Sequence, residues 1–537
     1  MRALRKFTSG LVVSANPVAS KSGLSVLKNG GNAVDAAVTA AHTLGVASPA
    51  FSGIGGGGFA LIWLAREEKA VFVDFREKAP STATEGMFKL TSSGRVVREE
   101  NAVGYKSVAV PGTIAGHALM LEKYGTVRLR DTLEPAIRCA RRGFRVGRAL
   151  GFTWTLSVNK LKRFEESKKT YLNRSQPYHQ GEKVALPSLA KDLETIGRGD
   201  VGEFYNGTIA KKICDDMTSN GGLVTSTDLE RYKPTLRETL RGSYEDYEII
   251  TAPPPSSGGA IILQSLNILE NHTLKRFGHN STKSLHILAE ALARSNLSCR
   301  ARISDPDFTE PPMNTLISKE FAKELGSTIN PNRASIPTER TGYPLMPASN
   351  TSHLVAIDSE HNVVSMTESV ECYFGSGITV PGTGMILNDT MHDFEPRPGM
   401  ANSVAPEKIP MSSMSPTIIL KDGQPIVAVG SAGGPRIVSS TLQVLLNMLE
   451  FGMRLQDAVA APRIHVHGNL VQLENTLTGK TATELRKMGH SIEVRKLTGS
   501  GDPGLYFGGV HAAQLSQENG LSGAADPRRD GLAIGIP

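Results

Sequence analysis

The chain has 537 residues, of which 39% are hydrophobic and 21% charged, with 59 lysines and arginines against 52 aspartates and glutamates. This composition excludes a disordered protein, a coiled coil and a collagen-like array, and no apolar stretch approaches the roughly 18 residues that span a bilayer. The basic residues are scattered and aromatic residues make up only 6%, which argues against a nucleic-acid-binding surface.

The first part of the chain predicts short strands alternating with helices. The predicted elements are a strand at Leu11–Ser14, a helix over residues 17–27, a second helix over residues 33–44 with Asn32 as its cap, an apolar run at 59–64 and a strand at 70–74. The second helix is rich in alanine, and small side chains allow close packing. We therefore expect this helix to be buried.

Residues 115–296 are predicted to be mostly helical, and residues 305–349, rich in Pro, Asn, Thr and Ser, are predicted to form a long surface segment. Strands are predicted beyond that segment, at 354–357, 363–367, 417–420 and 426–429. Because helices and strands are mixed throughout, the predicted class is α/β or α+β.

The four cysteines lie far apart and without metal-ligand spacing, so we expect free thiols and a reducing compartment. They are Cys139, Cys214, Cys299 and Cys372. The basic residues that begin the sequence are not followed by the apolar segment of a signal peptide. We therefore expect a cytoplasmic protein without a membrane anchor.

Three motifs resemble ligand sites but lack the context that those sites need. The glycines at 53–58 satisfy G-x-G-x-x-G, yet a helix precedes them and a strand follows, the reverse of a dinucleotide site. Gly479-Lys480-Thr481 ends like a phosphate loop, but Glu474 replaces its first glycine. His465 and His467 share a strand face without a third ligand, so we interpret them as ordinary surface or buffering histidines.

Thr351 stands where the irregular segment meets a predicted strand. Cleavage before it would create an N-terminal threonine, whose hydroxyl is a nucleophile and whose α-amine, with a pKa of roughly 8, is a base. One residue would then supply both groups. The alternative is that Thr351 is a β-branched residue that merely begins a strand.

The neighbouring segments resemble the gamma-glutamyltranspeptidases, which belong to the N-terminal nucleophile hydrolases. The matching segments are NAVDAA at 32–37, SGIGGGGF at 52–59, DFREKAP at 74–80, VPGT at 110–113, TSH at 351–353, FGSG at 374–377, LN at 387–388, PMSSM at 410–414 and GSAGG at 430–434. The resemblance implies a proenzyme that cuts itself between Asn350 and Thr351. Residues 1–350 and 351–537 would become a large and a small subunit that jointly form a four-layer αββα sandwich.

The resemblance also implies catalytic roles. Thr351 looks like the nucleophile, which carries the acyl group as an ester. Ser369 stands where the family usually has a second threonine that hydrogen-bonds the nucleophile, and it keeps the hydroxyl. Gly433 and Gly434 match the glycines whose backbone N–H groups form an oxyanion hole, a role that their position between a strand and a helix suits.

The substrate-binding residues follow from the same resemblance. A γ-glutamyl group carries an α-carboxylate and an α-ammonium, so its pocket needs a cationic and an anionic partner. Arg76 matches the family's arginine for the carboxylate, and Ser412 and Ser413 match the hydroxyls beside it. Asp393 matches the acid that receives the ammonium.

Two positions depart from the commonest family pattern. Glu371 stands where many members have Asn, although some bacterial relatives also have Glu, and we interpret it as a second ammonium ligand. Thr390 stands where many members have a longer Gln or Glu.

The sequence therefore predicts a γ-glutamyltransferase and glutathione hydrolase that transfers the γ-glutamyl group to water, an amino acid or a peptide, without metal or organic cofactor. One alternative is a cytoplasmic family amidohydrolase for another small acyl amide, of oxamate or glutaryl type. Another is an uncleaved, non-enzymatic relative. No nucleic-acid or membrane partner is expected, and the sequence leaves both a monomer and a homo-oligomer open.

Overall fold

The computed structural model describes residues 7–335, 350–477, 479–495, 502, 504–516 and 520–537. The basic start of the chain, at residues 1–6, and residues 336–349 of the predicted surface segment lie outside this part. Its strands are β1 (Leu11–Ser14), β2 (Gly57–Leu64), β3 (Lys69–Asp74), β4 (Phe144–Arg145), β5 (Lys183–Val184), β6 (Thr235–Arg237), β7 (Leu240–Tyr244), β8 (Tyr247–Thr251), β9 (Ser352–Ile357), β10 (Val363–Ser369), β11 (Thr417–Lys421), β12 (Gln424–Ala432), β13 (Ile464–His467), β14 (Leu470–Glu474), β15 (Ser491–Arg495), β16 (Gly509–Ser516), β17 (Gly520–Ala525) and β18 (Leu532–Gly535).

The helices of the described residues alternate with these strands. They are α1 (Pro17–Lys28), α2 (Ala33–Ala47), α3 (Thr113–Tyr124), α4 (Leu129–Arg142), α5 (Arg148–Leu161), α6 (Glu165–Tyr171), α7 (Pro187–Tyr205), α8 (Thr208–Ser219), α9 (Ser226–Arg231), α10 (Gly258–Leu269), α11 (Thr282–Arg300), α12 (Met313–Leu316), α13 (Lys319–Ser327), α14 (Arg436–Leu449), α15 (Leu455–Ala460) and α16 (Lys480–Lys487).

Two large sheets pack face to face. The first has the strand order β18-β1-β9-β10-β2-β3-β6, and the second has the order β17-β16-β12-β11-β8-β7. Side chains alternate between the faces of a strand, so one face of each sheet supplies a shared apolar core. Phe59, Phe72 and Val355 from the first sheet join Ile418 and Ala513 from the second in that core, and all five are fully buried.

Helices cover the outer face of each sheet. On the first sheet, α2 contacts β9 and β10, and its residues Ala36, Ala37 and Ala40 are fully buried, as its small side chains predicted. On the second sheet, α10 and α14 pack over β7 and β12, with Ile261 and Leu442 in a second core. The chain therefore forms the four-layer αββα sandwich that the family resemblance implied.

The middle region, residues 115–296, is mostly helical as predicted, but it also contains five strands that were not predicted. Strands β6, β7 and β8 lie between α9 and α10, and β8 pairs with β11 in the second sheet. β6 and β7 are partly exposed, so their polar faces give no continuous apolar run, and Leu236 is 44% exposed. A half-polar strand near a sheet edge carries a weak sequence signal.

The segment predicted to be irregular, residues 305–349, contains the helices α12 and α13 within its described part. Ser318 caps α13 by accepting a hydrogen bond of 3.1 Å from the backbone N–H of Phe321. Ala322 and Gly326 of α13 are buried, because α13 packs on α10. This short helix has an amphipathic pattern that the many polar residues around it obscure.

The first sheet combines strands that precede the Asn350–Thr351 bond in the sequence with strands that follow it. β9 begins directly after Thr351 and lies between β1 and β10, and β10 pairs in turn with β2. The start of β9 is therefore an interior position of the sheet. Among the described residues no helix is both long enough and apolar enough for a bilayer span, and all four cysteines are unpaired thiols.

Candidate active site

Thr351 lies at the start of β9, is 3% exposed, and lines a cavity of about 1050 Å³. Of the other residues predicted for the site, five line the same cavity: Glu371, Asp393, Ser412, Ser413 and Gly434. The remaining predicted residues lie behind those that line the cavity; they are Arg76, Asn350, Ser369, Thr390 and Gly433. The fold thus brings the predicted residues together around one opening, although they come from distant parts of the sequence.

The peptide bond between Asn350 and Thr351 is held by hydrogen bonds on both sides. The hydroxyl of Ser369 donates to the carbonyl oxygen of Asn350 at 2.6 Å and lies 3.4 Å from Oγ1 of Thr351. The N–H of Thr351 donates to Oδ1 of Asn350 at 2.8 Å, and the N–H of Asn350 donates to the carbonyl oxygen of Glu371 at 2.7 Å. The hydroxyl of Thr351 and the hydrogen-bonded carbonyl of Asn350 are therefore linked through Ser369.

Glu371 completes this arrangement through its backbone. Its N–H donates to Oγ of Ser369 at 2.8 Å, which orients the hydroxyl proton of Ser369 toward Asn350. Glu371 has φ of +75°, a left-handed conformation that is costly for a residue with a side chain. The strained turn places Glu371 at the cavity while its backbone supports the Asn350–Thr351 bond.

Gly433 and Gly434 form the turn between β12 and α14, with φ of +127° and +56°. A side chain at Gly433 would place its Cβ 2.8 Å from Cα of Gly508, so only glycine fits. The hydroxyl of Ser413 donates to the carbonyl oxygen of Gly434 at 2.8 Å and fixes this turn beside the cavity. The turn precedes the N-terminus of α14, where backbone N–H groups favour negative charge.

Arg76 is the buried cation of the site. It is 1% exposed, and its guanidinium forms a short ion pair with Asp393, approaches Glu77 to 3.5 Å and approaches Glu371 to 4.0 Å. The carbonyl oxygen of Pro410 accepts a hydrogen bond of 3.4 Å from Nε. One arginine therefore faces three carboxylates, two of which line the cavity.

Thr390 does not line the cavity but reaches Arg76 through Glu77. Its hydroxyl donates to Oε1 of Glu77 at 2.9 Å, and both residues are fully buried. The sequence analysis did not single out Glu77, although it follows Arg76 in a quoted motif. A glutamate next to an arginine in the sequence predicts an exposed ion pair, and only the structure shows that Glu77 is buried.

Burial and ion pairing act in opposite directions on these groups. Burial raises the pKa of Glu77 to about 7, although Arg76 partly opposes the shift. Burial also raises the pKa of Asp393, again against the pull of Arg76. Burial would lower the pKa of Arg76, but Asp393, Glu77 and Glu371 together raise it, so the guanidinium stays charged.

Ser412 lies at the cavity wall beside Ser413. Its Oγ accepts a hydrogen bond of 3.1 Å from the N–H of Met414, and its carbonyl accepts one of 2.8 Å from the N–H of Ser257. The cavity residues that the sequence analysis did not assign to the site include Cys372, Tyr373 and His392. They follow Glu371 or precede Asp393 directly, and that adjacency was the signal that could have found them.

Two groups of described side chains have ligand atoms close enough to share a metal ion. One comprises Glu371, His392 and Asp393, and the other comprises His286, Glu290 and His490. In the first group Asp393 already forms an ion pair with Arg76. In the second group Nη1 of Arg294 donates a hydrogen bond of 2.8 Å to Oε2 of Glu290. A resident arginine in each group opposes a second cation.

The interpretation of His465 and His467 as surface histidines was wrong for His465. This residue is 6% exposed, and its Nδ1 lies 2.9 Å from Oγ of Ser439 on α14. Burial lowers its pKa well below the usual range, and Arg436 adds to the effect. His467 is partly buried and lines the cavity.

Comparison with known proteins adds an independent finding. The family model described as Gamma-glutamyltranspeptidase matches residues 19–536. The chain is 37% identical to a glutathione hydrolase proenzyme of Pseudomonas sp. (strain A14), over 98% of this chain and 94% of that protein. It is also 37% identical to an acylase ACY 1 proenzyme of Pseudomonas sp. (strain SE83), over 98% and 93%. The crystal structure of cephalosporin acylase from Bacillus halodurans superposes with a TM-score of 0.90 at 28% identity, covering 100% of this chain and 97% of that one.

Proposed function

The chain belongs to the gamma-glutamyltranspeptidase family of N-terminal nucleophile hydrolases, and from this premise we propose that Thr351 transfers γ-glutamyl groups from glutathione or related amides to water, amino acids or peptides. The nucleophile is released when the precursor cuts itself into residues 1–350 and 351–537. The contacts around the Asn350–Thr351 bond support the cut, and the charges around Arg76 support the acyl group.

Self-cleavage begins with attack of Oγ1 of Thr351 on the carbonyl carbon of Asn350. The hydrogen bond from Ser369 to that carbonyl oxygen supports this step, because it stabilises the negative charge that develops there. The peptide N–C bond breaks as the acyl group moves to the Thr351 oxygen, and the nitrogen becomes an amine. Water then hydrolyses the ester and leaves Thr351 with a free α-amine.

Catalysis reuses the same two atoms of Thr351. The α-amine accepts the proton of the hydroxyl, which attacks the γ-carbonyl of the donor while the backbone of Gly433 and Gly434 stabilises the oxyanion. The protonated amine then gives its proton to the leaving amine. A γ-glutamyl ester remains on Thr351 until water or an acceptor amine attacks it.

The observation that carries the γ-glutamyl assignment is the position of Arg76 directly behind the cavity-lining acids Asp393 and Glu371. A γ-glutamyl group carries a carboxylate for the guanidinium and an ammonium for the two acids. Without an ammonium, one arginine would face two cavity-lining carboxylates in a poorly solvated pocket, which is costly.

The second candidate is an amidohydrolase for a glutaryl or similar acyl group. It is favoured by the acylase ACY 1 proenzyme, which is as similar to this chain as the glutathione hydrolase proenzyme is. A glutaryl group has the chain length of a γ-glutamyl group but lacks its ammonium. The two candidates therefore differ in whether Asp393 and Glu371 have a cationic partner.

A matched pair of donors separates these candidates. We expect γ-glutamyl-p-nitroanilide to be hydrolysed with a kcat/KM at least about tenfold above that of glutaryl-p-nitroanilide, since a charge-assisted hydrogen bond contributes about 1.5–3 kcal/mol. A preference for the glutaryl donor would reverse the assignment. Activity in separated cell fractions of the source organism tests the predicted cytoplasmic location.

Maturation is tested by the intact mass of the denatured protein beside a Thr351→Ala variant. We expect two fragments divided between Asn350 and Thr351 in the wild type and one uncut chain in the variant. A wild type that stays uncut after long incubation would favour the non-enzymatic relative and contradict the role of Thr351.

A further inference from the structure

The cavity extends beyond the acyl pocket, and its charges are segregated. Its volume of about 1050 Å³ leaves ample room after a γ-glutamyl group is bound. Near Thr351 the charged lining residues are the acids Glu371 and Asp393. The remaining lining carries four cations, Arg95, Lys160, Arg163 and Arg300. We call the region lined by these four residues the outer chamber.

Two acids also line the cavity outside the acyl pocket, but they do not neutralise the outer chamber. Arg397 occupies Glu395 through two hydrogen bonds, from Nε to Oε1 at 2.7 Å and from Nη2 to Oε2 at 3.0 Å. Glu99 is the other acid, and it is a single exposed carboxylate. The outer chamber therefore keeps an excess of positive charge.

The cations of the outer chamber come from separate elements of the fold. Arg95 lies in the loop before α3, Lys160 lies on α5 with Arg163 just beyond its end, and Arg300 ends α11. Within the described part of the chain, Arg95 and Arg163 form no ion pair with a carboxylate. Lys160 donates to the carbonyl oxygen of Gly375 at 2.6 Å, which holds its ammonium at the cavity wall.

We propose that the outer chamber binds the carboxylate of the leaving group and then the carboxylate of the acceptor that replaces it. Arg163 and Arg95 contact this carboxylate, and the positive charges of Lys160 and Arg300 add to the attraction. This inference rests on the proposed function, because the acyl pocket fixes the direction in which the donor lies. With the γ-glutamyl group at Arg76 and its amide carbon at Thr351, the leaving amine extends toward the rest of the cavity.

The ligand class follows from this polarity. The acyl pocket offers acids to an ammonium, and the outer chamber offers cations to an anion some distance beyond the scissile amide. An amino acid or a short peptide joined through its amine to the γ-carbonyl carries a carboxylate at its other end. The outer chamber thus favours such donors and acceptors over uncharged amides and simple amines.

The test compares two chromogenic donors that differ by one carboxylate, γ-glutamyl-p-nitroanilide and γ-glutamyl-3-carboxy-4-nitroanilide. The added group also changes the reactivity of the aniline, so the informative quantity is how the kcat/KM ratio of the two donors responds to variants and to salt. The uncharged donor normalises each variant for folding and maturation.

We expect the Arg95→Gln/Arg163→Gln double variant to lower the ratio of carboxylated to uncharged donor about fivefold, mainly through KM, as two solvent-accessible charge contacts allow. Salt at about 0.5 M should lower the wild-type ratio more than that of the double variant, which keeps only Lys160 and Arg300, because salt screens exposed charges. Lys162→Gln removes an adjacent exposed charge that does not line the cavity, and should keep the wild-type ratio.

A ratio that is equal in the wild type, the double variant and Lys162→Gln, and that does not respond to salt, would overturn the proposal. The proposal would also be overturned if Lys162→Gln lowered the donor ratio as much as the double variant does, because the net charge of the protein would then explain the effect. Inactivity toward both γ-glutamyl donors would instead contradict the proposed function itself, so the two failures are distinct.

Discussion

The hydroxyl of Ser369 donates a hydrogen bond of 2.6 Å to the carbonyl oxygen of Asn350, the group that Thr351 attacks in the proposed self-cleavage. The hydroxyl oxygen of Ser369 also lies 3.4 Å from Oγ1 of Thr351. Ser369 thus contacts the attacked group and the attacking group at once. Its position at the end of β10, paired with β9, explains how two strands of one sheet hold the reaction together.

We expect Ser369→Ala to slow self-cleavage at least tenfold, because loss of a donor to a developing oxyanion costs about 10²–10³ in rate in characterised enzymes. Ser369→Thr should cleave at close to the wild-type rate, since it keeps the hydroxyl. The measurement is the fraction of cut chain against time by intact mass.

Ser365→Ala is the matched control for this prediction. Ser365 lies on the same strand face, but its hydroxyl donates to the carbonyl oxygen of Val429 at 3.2 Å, away from the scissile bond. We expect normal cleavage. Equal rates for Ser369→Ala and Ser365→Ala would remove Ser369 from the reaction.

Asp393, which forms the short ion pair with Arg76, should determine the preference for an ammonium. We expect Asp393→Asn to lower kcat/KM for γ-glutamyl-p-nitroanilide about 10- to 100-fold, as the loss of a charge-assisted hydrogen bond implies. Glutaryl-p-nitroanilide should lose much less, because it has no ammonium. The measurement is the kcat/KM of both donors in the matured enzyme.

Glu395→Gln removes an equal charge from the same cavity and serves as its control. Arg397 already occupies this carboxylate, so its removal should affect both donors alike. If Asp393→Asn lowered the two donors by the same factor, the assignment of Asp393 to the ammonium would be wrong.

The buried carboxyl of Glu77 predicts a pH dependence of stability. Its pKa is raised from 4.5 to about 7, chiefly by burial. Between those values the unfolded chain releases the proton while the folded chain keeps it, so the free energy of unfolding falls as pH rises. The loss is complete above the folded pKa and amounts to at most about 3 kcal/mol.

We expect Glu77→Gln to abolish this part of the pH dependence. Urea unfolding at about pH 4.5 and about pH 8 in the Thr351→Ala background, which keeps the chain in one piece, measures the difference. Glu134→Gln, at a residue whose side chain is 58% exposed, should retain the wild-type slope. A slope equal in all three proteins would show that Glu77 does not titrate in this range.

Trp154 connects the part of the chain before the Asn350–Thr351 bond with the part after it. It is fully buried on α5, donates from Nε1 to the carbonyl of Tyr171 at 2.6 Å, and packs 5.3 Å from the ring of Phe374. We expect Trp154→Ala to lower the free energy of unfolding by about 3–5 kcal/mol. Leu156→Ala, on the same helix but 55% exposed, should change it by less than about 0.5 kcal/mol in the same urea titration.

Elements with a strong period or a clear cap were predictable from the sequence. β1 was predicted to the residue, and the Asn32 cap forms a capping box with Asp35. Strands β6 and β7 were not, since their half-polar faces resemble surface helix. A local sequence pattern indicates which face of an element is buried. These strands are instead held in position by pairing with segments that are distant in the sequence.

In the candidate site, the residues that could be predicted from the sequence are those whose proposed role follows from their residue type and motif. Thr351 and the two glycines stand in short motifs with a physical reason. The contact of Thr390 with Glu77 spans 313 residues, so no local pattern could reveal it. The outer chamber was equally hidden, because its arginines are scattered along the sequence and share a surface only in the fold.

The pairing of strands from before Asn350 with strands from after it, in both large sheets, also constrains how this protein is made. β1, β2 and β8 come from before Asn350, and each pairs with a strand from after it. A ribosome that has finished only the first 350 residues has produced open strand edges, which attract other chains and promote aggregation. Synthesis as one polypeptide keeps the partner strands at hand, and a cut made only after folding leaves every ladder intact.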